Sequence, residues 1–218
     1  MPRFVEVSHA IEPGMHTYPG LPEPWAEVLV DYQSSRLRYA GGAEFFIASL
    51  HLCGNTGTYV DSPRHRYANK SDLAGLPLER LAHLPVEVID VRGSASRGVG
   101  HEVLRGRKLA GKAVLFLTGW SSHWRTERYF EANPFLREDC AKGLVGAHAG
   151  FVGIDSVNID DMADLTRPAH TLLLGAGVPV CEHMTNLEAL DPSGGLLHAV
   201  PIAWKGGASF PVRAYVIY

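Results

Sequence analysis

Short runs of apolar residues, separated by glycine, proline and polar residues, recur along the whole chain. Runs of this length that alternate or stay apolar are typical of β-strands. The run FFIASLHL at 45–52 predicts a buried strand. The uninterrupted run AVLFLTG at 113–119 predicts a central strand that is covered on both faces. Altogether we predict strands at 3–9, 25–29, 45–52, 86–91, 113–119, 151–155, 196–204 and 211–218.

Helical patterns fill several of the intervals between these strands. Apolar spacing predicts helices at 101–109 and 137–148, and 167–184 predicts a helix, a glycine stop and then a further strand. Residues 119–135 are rich in aromatic side chains and follow the predicted central strand, where loops tend to line ligand crevices. Because no repeat or long linker divides the chain, we expect one α/β domain over residues 1–218.

One polar stretch, HLCGNTGTYVDSPRHRY at 51–67, differs from these apolar runs. If the stretch is extended, side chains two positions apart share a face. Asn55, Tyr59, Asp61 and His65 then line one side, where a core strand would carry valine, isoleucine or leucine. This pattern indicates a segment that presents reactive groups.

Composition and charge argue against several classes of protein. The 218 residues carry a net charge of −3 without a basic run, so no nucleic-acid partner is expected. No stretch approaches the roughly 20 apolar residues of a membrane span, and the first residues lack the pattern of a secretory signal. Cys53, Cys140 and Cys181 show no C-x-x-C spacing, which favours reduced thiols in a cytoplasmic protein. A serine hydrolase is not expected, because the sequence has no G-x-S-x-G elbow.

Residues 55–65, NTGTYVDSPRH, resemble the signature H-x-G-T-H-x-D-x-P-x-H of the cyclase family, which includes kynurenine formamidase (arylformamidase) and isatin hydrolase. The Gly, Thr, Asp, Pro and last His of the signature match. Its first two histidines, which bind metal in the family, are Asn55 and Tyr59 here. The run from His170 to Glu182, HTLLLGAGVPVCE, and the closing PVRAYVIY are also similar to the family, so the resemblance spans nearly the whole chain.

The resemblance implies a swivelling β/β/α fold with a mixed central sheet, and a homodimer. It also implies that Asp61, His170 and Glu182 bind metal and that His65 is the catalytic acid and base. Formamidase-like members hold two metal ions, and one of these depends on the two histidines that are missing here. We therefore expect one divalent ion, Mn²⁺ or Zn²⁺ with Mg²⁺ as a further option, because two carboxylates and one imidazole form a hard ligand set.

The function that the resemblance implies is hydrolysis of an amide, cyclic amide or ester bond in a small molecule. A metal-activated water would attack the carbonyl, and His65 would transfer the proton. Tyr59 and Asn55 would donate hydrogen bonds to the substrate. Kynurenine formamidase activity itself should be weak or absent, because one metal position lacks both imidazoles. We expect a flat or aromatic substrate, held by the rings of Tyr18, Trp120 and Trp124.

Simpler explanations exist for each residue taken alone. Asp61 could be a turn carboxylate, and His65 could be a hydrogen-bonded structural histidine. Their occurrence together with His170 and Glu182 at the family's spacing favours a site. The loss of two ligands leaves a second function open, namely a metal-free protein that binds a small molecule or acts as an isomerase or dehydratase through His65 and Glu182.

Overall fold

The computed structural model describes residues 1–218, with the exception of the side chain of Ser193. The α-helices are α1 (Tyr32–Arg36), α2 (Glu138–Gly146) and α3 (Pro168–Gly175). The strands are β1 (Phe4–Glu6), β2 (Trp25–Val30), β3 (Ile47–His51), β4 (Tyr59–Asp61), β5 (Leu84–Asp90), β6 (Gly98–Val99), β7 (Ala113–Leu117), β8 (Phe135–Leu136), β9 (Phe151–Ile154), β10 (Val180–Glu182), β11 (Ser193–His198), β12 (Ser209–Pro211) and β13 (Tyr215–Ile217). None of the helices in the described residues has the length and hydropathy of a membrane span.

One nine-stranded mixed sheet forms the centre of the molecule, in the order β1-β13-β11-β5-β7-β9-β10-β4-β12. The four middle strands, β5, β7, β9 and β10, are parallel. Both flanks are antiparallel. The helices α2 and α3 lie in the connections that lead into β9 and β10, as parallel pairing requires. The predicted α/β fold with a mixed central sheet is confirmed.

Apolar layers cover both faces of this sheet. All five residues of β7 are buried. Val114 and Phe116 pack in the layer that contains residues of α2 and α3, whereas Leu115 and Leu117 pack in the opposite layer. The prediction of a central strand that is covered on both faces is therefore confirmed for this strand.

Several elements are shorter than the sequence pattern predicted. His101–Leu104 forms a single 3₁₀ turn in place of the helix expected at 101–109, and β11 ends at His198. In the polar stretch, only Tyr59–Asp61 is a strand, and Pro63–His65 follows as a 3₁₀ helix. Proline suits the first position of a helix because it has no N–H to donate. The alternation of faces that the sequence predicted therefore ends at Asp61.

The strands β2 and β3 pair with each other and form a ribbon, residues 25–51, which is called the arm below. The prediction of a buried strand at 45–52 is wrong. Phe45, Ile47 and Leu50 are between 48% and 55% exposed. An apolar composition shows that a strand needs cover, but it does not show whether the same chain provides that cover.

Gly54 packs against the backbone of β12. A Cβ atom at this position would lie 2.4 Å from the carbonyl oxygen of Ser209. We expect Gly54→Ala to lower the free energy of unfolding by about 1–3 kcal/mol, because overpacking forces the backbone to shift. Gly146→Ala, at the end of α2 with open space around it, is the control and should be neutral or stabilising by about 0.5–1 kcal/mol. Urea denaturation of both variants measures the difference, and equal stability would contradict the close packing.

Candidate functional site

The register of three strands brings two pairs of polar side chains together. β4 lies between β10 and β12 and is antiparallel to both. Tyr59 is opposite Glu182 on β10, and Asp61 is opposite Ser209 on β12. Directly opposed residues of an antiparallel pair share a face of the sheet. Val60, which lies between Tyr59 and Asp61 on β4, packs in the apolar core on the other face of the sheet.

His170 lies in the first turn of α3, and Asp160 fixes its position. The Asp160 carboxylate accepts the backbone N–H groups of Ala169 and His170 at 2.6 and 3.1 Å. It thereby satisfies two donors that the start of a helix leaves without a partner. Its Oδ2 atom also lies 2.7 Å from Nδ1 of His170. Since a carboxylate only accepts, Nδ1 carries a proton, and Nε2 of the neutral imidazole presents a lone pair.

Three acceptor atoms converge in front of α3. Nε2 of His170 lies 3.6 Å from Oδ2 of Asp61 and 3.5 Å from Oε1 of Glu182. Among the described side chains, Nε2 of His170 and Oδ2 of Asp61 are buried without a hydrogen-bond partner. Two ligand atoms about 2.1 Å from one ion, at a tetrahedral angle, are ~3.4 Å apart. Both distances from Nε2 of His170 are close to this value, and all three atoms are of types that bind metal ions.

A second set of possible ligands overlaps with the first. One ligand atom from each of Asp61, His65 and His170 lies within 4.8 Å of the others. Nδ1 of His65 is 3.5 Å from Oδ1 of Asp61. The structure thus brings Asp61, His65, His170 and Glu182 into one place, although more than 100 residues separate the first pair from the second.

Burial and charge shift the pKa values of these groups. Burial raises the pKa of Glu182, and the imidazole of His170 partly opposes that rise. Burial would also raise the pKa of Asp61, but His65 and His170 hold it below its usual value. For His170, burial alone would lower the pKa, yet the surrounding carboxylates, led by Glu182, raise it to about 10. The centre therefore favours a positive charge, either a proton on His170 or a metal ion.

Ser209 connects Asp61 to His65, and sequence reasoning missed it. Its hydroxyl is hydrogen-bonded to Oδ1 of Asp61 and lies 3.0 Å from Nδ1 of His65. The hydroxyl has one proton, which goes to the carboxylate because a carboxylate only accepts. The Ser209 oxygen then accepts the Nδ1–H of His65, which leaves Nε2 of that ring with its lone pair. No motif surrounds Ser209, so only the pairing of β12 with β4 reveals it.

The hydroxyl of Tyr59 already has a partner. It donates to Oε2 of Glu182 at 2.5 Å, while Oε1 of Glu182 accepts the backbone N–H of Ile159 at 2.7 Å. Burial, followed by the charges of Glu182 and Asp61, raises the pKa of Tyr59 well above its usual value. The phenol is therefore protonated at neutral pH. Because Glu182 uses the proton of Tyr59 in this geometry, donation from Tyr59 to a substrate stays a prediction.

These side chains line a pocket of about 300 Å³, a size that suits a small molecule. Six residues proposed from the sequence line it, namely Tyr18, Asn55, Tyr59, His65, His170 and Glu182. Four residues that the sequence did not suggest line it as well, namely Leu21, Arg66, Asn158 and Arg167. Asp160, also missed, lies in the acidic run after β9, where the carboxyl end of a parallel strand could have pointed to it.

The two tryptophans are not among the described residues that line this pocket. The ring of Trp124 stacks on His9 with centroids 4.1 Å apart and contacts His183 edge-on. Trp120 donates its indole N–H to the carbonyl oxygen of Tyr129 at 2.8 Å and lines a separate pocket. Both follow β7, which β9 separates from β10. A role for Trp120 and Trp124 in holding the substrate therefore stays a prediction.

Comparison with known proteins relates this site to a family. The Cyclase family model matches residues 5–161. A kynurenine formamidase from Salinibacter ruber is 27% identical over 211 residues, which cover 97% of this chain and 95% of that protein. A kynurenine formamidase from Bacillus cereus is 26% identical over 213 residues, covering 98% of this chain and 96% of that protein.

Solved structures share the fold over the same extent. Isatin hydrolase A from Labrenzia aggregata has a TM-score of 0.84 at 22% identity, over 99% of this chain and 93% of that chain. An isatin hydrolase bound to the product analogue thioisatinate has a TM-score of 0.85 at 21% identity, over 100% of this chain and 92% of that chain. A protein described as a potential metal-dependent hydrolase with cyclase activity has a TM-score of 0.81 at 22% identity, over 100% of this chain and 98% of that chain.

The matched segment includes the polar stretch with Asp61 and His65 and extends to the residues that orient His170. It covers well over half of the chain, and the solved structures share the fold over nearly the whole chain. The chain therefore belongs to the cyclase family and is an enzyme of its hydrolase type.

Proposed function

We propose that the protein hydrolyses a non-peptide amide, a cyclic amide or an ester in a small molecule, with one bound divalent ion. The convergence of Nε2 of His170 with oxygens of Asp61 and Glu182 carries this proposal. Nδ1 of His170 bonds to Asp160, which is the outer partner that metal-binding histidines usually have. Three protein ligands leave a place for water or substrate on the pocket side.

Asp61, His170 and Glu182 suit the ion better than the set that includes His65. The side chain of His65 is 35% exposed. Its Nδ1 atom donates a proton to Ser209 and therefore has no lone pair for an ion. Glu182 is only 1% exposed, and a buried carboxylate needs a cation or several donors beside it. Two carboxylates with one imidazole favour Mn²⁺ or Zn²⁺, and Mg²⁺ is a further option.

When bound, the ion lowers the pKa of a water molecule and polarises the carbonyl of the substrate. His65 takes the proton of the attacking water on Nε2 and returns it to the leaving nitrogen or oxygen. Ser209 keeps His65 in the tautomer that this step requires. Asn55 lines the pocket, and its amide donates to the substrate carbonyl. Tyr59 acts as a positioning residue, since its hydrogen bond orients Glu182.

Kynurenine formamidase is the name of the curated relatives, but we expect this activity to be weak here. The family signature has histidines where this chain has Asn55 and Tyr59. An amide oxygen is a weak metal ligand, and the phenol keeps its proton. The chain therefore offers one complete metal position, and hydrolysis of N-formylkynurenine should be slow.

A metal-free function is the second candidate, and one observation favours it. The pKa of His170 is raised to about 10, so a proton on Nε2 could itself balance the charges of Asp61 and Glu182. In that state the pocket would bind a small molecule, or it would support isomerisation or dehydration through His65 and Glu182. Metal analysis separates the two candidates.

We expect protein purified without chelating resin to contain about one divalent ion per chain, as a three-ligand site implies. His170→Ala should lose the ion, because it removes one ligand of three. His16→Ala, which changes an exposed histidine in a loop, should retain it. Elemental analysis by mass spectrometry measures the content, and hydrolysis of an aryl formamide before and after chelation relates the ion to activity.

Two results would decide against the metal-dependent proposal. One is folded wild-type protein that takes up neither Mn²⁺ nor Zn²⁺ in a titration. The other is aryl formamide hydrolysis that survives complete removal of metal. Either result would favour the metal-free candidate.

Tyr59→Phe should weaken the affinity for the ion about 10-fold to 100-fold, as the loss of an outer hydrogen-bond partner does. The change removes the donor to Oε2 of Glu182 and almost no packing area. Tyr129→Phe is the control, because it removes another buried hydroxyl, one that bonds to His183. Metal titration by calorimetry on both variants tests the assignment. Loss of the ion from both, or from neither, would contradict it.

We further infer that the protein is a homodimer, and the arm supports this inference. Ten large apolar side chains between 25 and 50 are 48% to 89% exposed. Aromatic side chains have areas of ~150–250 Å², so ten half-exposed residues approach the roughly 800 Å² that a standard interface buries on one partner. A two-stranded ribbon without such cover is marginally stable. The ten are Trp25, Val28, Leu29, Tyr32, Leu37, Tyr39, Phe45, Phe46, Ile47 and Leu50.

A second copy of the chain is the partner that fits the arm. The body of the same chain exposes Val200, Ile202 and Trp204, which gives each copy an apolar surface for the arm of the other. A twofold arrangement buries both contacts at once and leaves neither arm exposed.

Light scattering should give a mass of about twice 23.7 kDa for the wild type. Val28 and Leu50 belong to paired strands of the arm, and Val28→Glu with Leu50→Glu should yield a monomer, because two charges would be buried in the interface. Leu165→Glu, at an exposed position outside the arm, is the control and should stay dimeric. A monomeric wild type, or a double variant that remains dimeric, would contradict the inference.

A further inference from the structure

We propose that the pocket selects substrates that carry a carboxylate, and that Arg167 and Arg66 bind this group at the pocket wall. The inference rests on the hydrolase function proposed above and names its substrate class. Both arginines line the pocket together with His65 and His170. Sequence reasoning did not select either arginine, although Arg66 lies within the polar stretch at 51–67.

Arg167 is held firmly at the start of α3. Its backbone has a φ of 50°, in the left-handed region that non-glycine residues seldom adopt. Its Nη1 donates to the carbonyl oxygen of Asp161 at 3.1 Å, and its Nη2 donates to the hydroxyl of Tyr18 at 3.3 Å. A guanidinium has about five N–H donors, so these two bonds orient the group and leave further donors for a ligand.

Arg66 follows His65 directly and reaches the same helix. Its Nε donates to Oγ1 of Thr171 at 3.1 Å, and its guanidinium lies 5.6 Å from the centre of the Tyr67 ring. The first contact uses Nε of the guanidinium group, and the second lies over the Tyr67 ring. Its terminal nitrogens have no hydrogen-bond acceptor among the described residues.

The positive charge of this pair is not neutralised within the chain. Among the described side chains, no carboxylate oxygen lies within 4.0 Å of either guanidinium, whereas Arg92 and Arg137 each have such a partner. Hydrogen bonds from Thr166 are the main cause that lowers the pKa of Asp164, and the charge of Arg167 also lowers it, so Asp164 is near Arg167 without an ion pair.

The charged groups at the pocket differ in depth. The carboxylates of Asp61 and Glu182 are buried, whereas Arg66 is exposed and Arg167 is half-buried. The guanidinium groups attract an anionic group of the substrate to the outer part of the pocket. A substrate with a carboxylate therefore binds in one orientation, with its neutral amide or ester carbonyl toward His65 and His170.

A carboxylate is the anion that fits best. The planar guanidinium matches the two oxygens of a carboxylate with two parallel hydrogen bonds. The pocket of about 300 Å³ also has the ring of Tyr18 and the side chain of Leu21 on its wall, which suit the apolar part of an aryl amide. In the reaction the C–N bond breaks, the carbonyl carbon receives OH from water, and the nitrogen receives the proton.

Two substrates that differ only in the carboxylate test the proposal, 2-formamidobenzoate and formanilide. The wild type should hydrolyse the first with the lower KM. Arg167→Met and Arg66→Met should each raise that KM roughly 10-fold to 100-fold, as the loss of a charge-assisted hydrogen bond predicts, and should raise the KM for formanilide much less. Arg167→Lys should recover part of the loss. Arg105→Met, an exposed arginine outside the pocket, is the matched control.

Calorimetric binding of benzoate and benzamide provides a readout that does not need turnover. Benzoate should bind more tightly to the wild type than benzamide, and Arg167→Met should remove the difference. If neither formamide is hydrolysed while this benzoate preference holds, the proposed reaction fails and the carboxylate site stands. Equal binding of the two compounds, or an equal effect of Arg167→Met on both formamides, would overturn the carboxylate site.

Discussion

Two carboxylates buried side by side impose the main constraint on this molecule. Asp61 and Glu182 are at most 1% exposed, and two like charges in a medium of low dielectric constant destabilise each other. A positive group between them removes this cost, and His170 lies within 3.6 Å of both. Both oxygens of Glu182 and Oδ1 of Asp61 accept a hydrogen bond, whereas Oδ2 of Asp61 has no donor. The buried centre therefore favours a positive group beside the two carboxylates.

Regular secondary structure, rather than a long loop, holds these groups in place. Two of the hydrogen bonds of the site, from Tyr59 to Glu182 and from Ser209 to Asp61, join residues that are directly opposed in the sheet. A slip of one residue in this register would turn Val60 into the pocket and the polar groups into the core. The third element, α3, is anchored by a carboxylate that caps its first turn and orients its histidine. The precision of the site therefore follows from the same bonds that form the fold.

The sequence predicted the fold class and the four central residues, because reactive side chains in apolar surroundings and a family signature are visible in one dimension. It missed Ser209 and Asp160, whose roles depend on which strands and turns lie side by side. For Trp124, an aromatic loop after a central strand indicates an edge of the sheet but not one strand along that edge. The sequence predicted burial for Phe45 because an apolar pattern shows that a strand must be covered, but not what covers it. Composition therefore indicates which side chains can take part in chemistry, while the register of the strands decides which of them meet.

Tyr59 shows how one substitution changes the charge balance of such a centre. A neutral imidazole at this position presents a lone pair and can bring a metal ion with it, whereas the phenol presents a proton and brings no positive charge. The proton satisfies Oε2 of Glu182, which is the oxygen that faces away from His170. The other oxygen remains directed at the centre, and the phenol adds no ligand for a further cation. The positive charges without a carboxylate partner at this pocket belong to Arg66 and Arg167, which are less buried than Asp61 and Glu182. A pocket that holds a cation at its buried carboxylates and an anion at these guanidinium groups would bind its substrate in one orientation.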